Sequence, residues 1–297
     1  MDLGISLGGL LVGLTVGLTG MGGGALMTPM LVLLFGVDPL AAVSTDVVAS
    51  LVMKPIGGSV HARRGTVHLG VVRWLALGSV PAAFAGVLLL RALGSGEELS
   101  ERLETLLGLT LVVAATAMAV RIVLQSRRGT ASADVRSVQV RRGLTLLVGV
   151  VGGLVVGVTS VGSGSLMIVL LLCLYPTLES KSLVGTDLVQ AVPLVAAAAV
   201  GHLLFGDFQL DLTLALLAGC IPGVYIGARV SSRAPDSVIR PLLVAVLVGS
   251  ALKLLGMATA PVAVVALLAG LLVVAVQRAT VRRQAAAGEL AVAADPA

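Results

Sequence analysis

"GLTGMGGGAL" occupies Gly17 to Leu26, with glycine at 17, 20, 22, 23 and 24 inside a segment otherwise made of Leu, Val, Thr and Met. Glycine costs a helix interior about 1 kcal/mol relative to alanine. An apolar run with its weakest backbone at the centre has two readings. Either the chain turns there, or another helix approaches so closely that no side chain fits.

The surrounding chain decides the environment. It has 297 residues, of which 57% are hydrophobic and 12% charged, and its mean hydropathy is +1.08. Soluble domains carry roughly 25% charged residues. Thr110–Val120, Leu144–Val158 and Val262–Val276 hold no charge at all. Runs approaching about 20 apolar residues match the hydrocarbon thickness of a bilayer, and they lack the alternation of a membrane β-barrel. The expected class is an all-α polytopic membrane protein. Met1-Asp2-Leu3-Gly4 lacks a basic n-region, so no cleaved signal peptide is expected. Cys173 and Cys220 stand alone in apolar context and read as small buried hydrophobes. The net charge of +5 reflects Arg clusters between apolar runs, so no nucleic-acid partner is implied.

The chain is written twice. "GLTGMGGGALM" (Gly17–Met27) returns as "GVTSVGSGSLM" (Gly157–Met167), 140 residues later. Thr45-Asp46 returns as Thr186-Asp187, His61 as His202, Gly65 as Gly206, Pro81 as Pro222 and Gly86 as Gly227, each 141 residues apart. The one-residue slip falls in the polar breaks near 36–39 and 176–181. Matches of Asp, His and Pro are informative because these residues are rare here. Duplicated halves are common in secondary transporters. The expected organisation is a first half at 1–124, a basic cytoplasmic linker at 125–142, a second half at 143–256, and an extra membrane helix with a loose Ala-rich tail at 257–297.

Charge placement supports a turn, while close helix contact stays open as the alternative or as its companion. Arg127, Arg128, Arg136, Arg141 and Arg142 place the linker in the cytoplasm. If Leu144–Tyr175 crossed once, Arg229, Arg233, Arg240, Arg278, Arg282 and Arg283 would face outward, against the positive-inside rule. If it enters and returns as a hairpin, all of them face the cytoplasm. Applied to both halves, this predicts inverted repeats, each opening with a Gly-rich broken or re-entrant helical hairpin. The N-terminus is then outside and the C-terminus inside. Backbone bent at membrane depth survives only buried in protein or lining a cavity.

Asp46 and Asp187 are acids in apolar surroundings, which points to coupling or substrate contact; N-capping is the structural alternative. Lys54 has no basic counterpart, since position 195 is Val. It lies about 12 Å from Asp46 along a straight helix; it either meets an anion or, the simpler reading, snorkels to the cytoplasmic side. His61 and His202 end equivalent helices, either at an interface or as proton carriers. Pro81 and Pro222 are structural kinks. Candidate substrate contacts are Thr19, Gly22, Gly23, Gly24, Thr45, Asp46, Thr159, Ser160, Gly162, Ser163, Gly164, Thr186, Asp187 and Gln190. Candidate proton carriers are Asp46, Asp187, His61 and His202. Hydroxyls and helix N-termini favour an anion. No cofactor and no metal site is expected, and no GxxxxGK[ST] loop is present to use ATP.

"GLTGMGGGALMTPML", the following "STD", His61 with Gly65, and the return of this pattern in the second half resemble the TauE/SafE family over about residues 5–256. The resemblance implies a permease for small sulfur-containing anions such as sulfite or sulfoacetate in the bacterial cytoplasmic membrane. The expected function is a non-enzymatic, proton-coupled secondary transporter, multi-pass in the inner membrane, with a small anion and the lipid bilayer as partners and homo-oligomers allowed. A passive anion channel is the alternative. An intramembrane hydrolase using Ser163 or Ser165 with His202 is a distant third.

Overall fold

The computed structural model describes residues 2–19, 23–63, 65–94, 96–127, 138–230 and 236–293. Helices account for nearly all of them: α1 (Leu3–Thr19), α2 (Gly24–Phe35), α3 (Pro39–Arg63), α4 (Leu69–Ala92), α5 (Glu97–Arg127), α6 (Arg142–Thr159), α7 (Leu166–Leu174), α8 (Ser180–Phe205), α9 (Leu210–Val230), α10 (Asp236–Leu254) and α11 (Thr259–Ala293). Among the described residues six helices are long and apolar enough to cross a membrane: α4, α5, α6, α8, α9 and α11. Leu3, Leu7, Leu11, Leu267, Leu268 and Leu272 point outward, as expected of surfaces solvated by lipid.

Each Gly-rich run folds into two antiparallel helices. In the first, Gly4 lies against Phe35 and Gly8 against Met30. In the second, Gly152 lies against Met167, and Tyr175 Oη accepts the Arg141 N–H at 3.1 Å and bonds Thr145. The turn of the second hairpin runs from Ser160 to Ser165. It needs left-handed backbone at Ser160 (φ 57°), Gly162 (φ 123°) and Gly164 (φ 92°). Glycine takes that conformation freely; for Ser160 it costs about 1 kcal/mol. The Thr159 hydroxyl holds the turn, accepting from Val161 N–H and donating to the Val155 carbonyl.

The glycines upstream of the turns serve the other purpose, close helix contact. A methyl group at Gly13 would stand 2.5 Å from the Cys220 carbonyl oxygen, and one at Gly153 would stand 2.4 Å from that of Ser79. These are equivalent positions of two equivalent seams. In each seam the helices run parallel: α1 against α9, and α6 against α4. The first helix of each half is therefore packed against the other half. Close approach of this kind is the established role of small residues every fourth position in membrane helices.

The third helices of the halves also meet, and they run antiparallel. Ser44 of α3 bonds His202 of α8 at 3.0 Å, while Gly58 faces Leu188. The His202 Nε2–H donates to the Gly157 carbonyl at 2.9 Å, and its Nδ1 is left for the Ser44 hydroxyl. His202 is fully buried, so the interfacial placement expected from its position at a helix end is replaced by a tie joining α3, α6 and α8. Past Arg278, α11 continues as helix to Ala293, in keeping with the high helix propensity of alanine. The linker residues 128–137 lie outside the described residues.

Gly153→Ala should lower stability by about 2 kcal/mol or more through overpacking, whereas Gly143→Ala, with open space around it, should change it little. Thermal unfolding in detergent measures both. His202→Phe should cost about 2 kcal/mol by orphaning a carbonyl and a hydroxyl; an unchanged melting temperature would remove the tie from the stabilising contacts.

Candidate functional site

The tips of the two hairpins converge. A methyl group at Gly24 would stand 2.0 Å from the Ser160 carbonyl oxygen, so only glycine allows the first hairpin to reach the second. Around this contact lies a buried polar cluster fed by both halves. Asp46, Asp187, Lys54 and Gln190 are between 0 and 6% exposed.

Asp46, Ser50 and Lys54 follow one another at four-residue spacing and so share a face of α3. The Asp46 carboxylate accepts from Thr28 of α2 at 2.6 Å, from Ser50 at 3.4 Å and from Ser160 of the second hairpin. Asp187 of α8 accepts from the Gln190 amide at 3.1 Å and from the Gly164 backbone N–H. The Gln190 carbonyl in turn accepts from Ser79 of α4 at 3.2 Å. Lys54 donates to Ser163 at 2.7 Å and lies within electrostatic range of both carboxylates; Arg121 of α5 lies within range of Asp187. The snorkelling expected of Lys54 is overturned: its ammonium is buried at the second hairpin. Taking an ammonium out of water costs several kcal/mol unless charge and hydrogen bonds compensate, and here two carboxylates and a hydroxyl supply that compensation.

The remaining candidates divide. Thr45 and Ser165 have buried hydroxyls with no partner among the described residues. Thr186 accepts from the His68 backbone N–H at 3.0 Å and so fastens the approach to α4. Thr159 and Gly162 shape the turn, and Thr19 bonds back to the Thr15 carbonyl. Gly23 lies beside Met27 and Met53. Gly22 and the His61 side chain lie outside the described residues. His202 directs neither nitrogen at Ser163 or Ser165. Sequence reasoning missed Thr28 and Ser50 as carboxylate partners. The spacing of Asp46, Ser50 and Lys54 was the signal for the second of these.

The family pattern described as "Sulfite exporter TauE/SafE" matches residues 5–254. A Bacillus subtilis (strain 168) protein named "Probable membrane transporter protein YjnA" is 36% identical over 256 residues, covering 86% of this chain and all of that protein. A second protein of the same organism, "Probable membrane transporter protein YdhB", is 23% identical over 237 residues, covering 77% of this chain and 90% of that one. No solved structure matches. With duplicated helical hairpins, several membrane-crossing helices and a match over nearly its whole length, the chain belongs to the TauE/SafE family of membrane transporters.

Proposed function

We propose that the chain is a proton-coupled secondary transporter that moves a small sulfur-containing anion, such as sulfite, sulfoacetate or a related organosulfonate, across the cytoplasmic membrane by alternating access. The observation that carries this reading is the buried cluster at the meeting of the hairpin tips. It joins matched acids from both halves, one ammonium, an amide and several hydroxyls. The family description names sulfite, and the donors fit an oxyanion.

Antiparallel packing of α3 against α8, which hold equivalent places in the two halves, supports inverted repeats with the site between them. Such repeats exchange access by rocking one bundle against the other. Under this reading the hairpins are re-entrant, the N-terminus is external, and the C-terminus and linker are cytoplasmic. Burial of the cluster supports a transporter over a passive channel, because a conducting path would leave these side chains wet. Asp46 and Asp187 carry the proton coupling, since an intramembrane acid can take up and release charge in step with the substrate.

In proteoliposomes, at least one of sulfite, sulfoacetate and sulfate should show saturable uptake that quickens under an imposed pH gradient. Rates equal to those of empty liposomes for all three would remove the reading. Asp46→Asn should lower gradient-driven uptake about tenfold or more, on the scale of a lost charge-assisted hydrogen bond. Unchanged uptake with unchanged pH dependence would take Asp46 out of the coupling.

A further inference from the structure

Two features at the second hairpin are unlike their counterparts in the first. Lys54 carries three N–H donors, and its described bond is to Ser163 Oγ. Among the described residues no ion pair at contact distance joins it to Asp46 or Asp187. The Asp187 carboxylate, meanwhile, sits on the Gly164 N–H at the start of α7. Ser165, at the N-cap position of α7 but making no capping bond, has a buried hydroxyl without a partner among the described residues and is 4% exposed. A buried ammonium, bonded to Ser163, and a backbone donor of the next residue, Gly164, thus meet at this tip, and the group resting on the backbone donor is an acid of the protein itself.

We propose that this tip is the oxyanion subsite of the transporter and that the Asp187 carboxylate is its resident anion, which the substrate displaces. The proposal rests on the transport reading above and specifies its coupling. An ionised carboxylate and a sulfonate or sulfite oxygen cannot share one donor. Two like charges held at hydrogen-bonding distance from the same donor repel strongly away from bulk water. When Asp187 takes a proton, that repulsion vanishes, the Gly164 N–H is released, and Lys54 is left to the substrate. One proton therefore accompanies each bound anion.

The groups facing Asp187 are Lys54 from α3, Arg121 from α5, the Gly164 N–H from the hairpin, and Gln190 of its own helix, which Ser79 of α4 orients; Asp46 faces it across Lys54. Among the described residues the first half shows no such arrangement. Its acid is held by the hydroxyls of Thr28, Ser50 and Ser160, and the partner position of Lys54 is Val195. The two acids therefore have unequal tasks.

The test is binding of sulfate, sulfoacetate and sulfite to the purified full-length chain in detergent, by calorimetry, from about pH 6 to about pH 8. Sulfate and sulfoacetate hold a fixed charge over this range. For the wild type, the dissociation constant should rise about tenfold per pH unit once Asp187 is ionised, as one-to-one linkage requires. Asp187→Asn, with an unchanged elution profile, should bind at high pH as tightly as the wild type at low pH, with no slope. Lys54→Gln should bind more than tenfold weaker at every pH and keep the slope. A wild type without slope, an Asp187→Asn protein that keeps it, or a Lys54→Gln protein of unaltered affinity would each overturn the proposal. Uptake by the wild type combined with any of these results refutes the subsite alone. The expected binding pattern without uptake refutes transport alone, and no binding of any anion by any of the proteins refutes both.

Discussion

A chain that reverses direction within apolar surroundings exposes backbone N–H and C=O groups that no helix can satisfy, and each such group left bare costs several kcal/mol. The structure answers this constraint at the second hairpin with its own polar groups. Thr159 bonds the turn internally, Asp187 covers the Gly164 N–H, and Ser160 and Ser163 reach Asp46 and Lys54. The same side chains that make the reversal tolerable are those that could recognise an anion. Burial of the cluster follows from the same constraint, because a tip left open to hydrocarbon would have nothing to bond.

The two readings of the glycine-rich stretches turn out to be divided along the chain. Glycines at the tips permit the turn and the contact between hairpins, whereas those at Gly13 and Gly153, a few turns earlier, permit parallel helices to touch backbone to backbone. One composition thus serves two purposes, and the register within the run separates them. Gly24 belongs to the first group, since its approach to Ser160 brings the two halves together at the site.

Much of the fold was legible because rare residues repeat at one register. Asp46 with Asp187 and Pro81 with Pro222 exposed the duplication, and the sides on which arginines fall implied a hairpin before any contact was known. The site was legible only in its acids. Lys54 was misread because distance along one straight helix says nothing about a partner on another element; its bond is to Ser163, 109 residues away. His202 was misread for a similar reason, since its partners, Ser44 and Gly157, come from two other helices.

The parallel seams interlock the halves, and that governs how the protein is made. The Ser6 hydroxyl of α1 donates to the Ala215 carbonyl of α9, 209 residues further along. At a synthesis rate of about 5–20 residues per second, α1 waits about 10–40 seconds for its mate. Neither half holds a complete set of neighbours: α1 gains its mate only when α9 has emerged, and α2 and α5 gain theirs only when α10 follows.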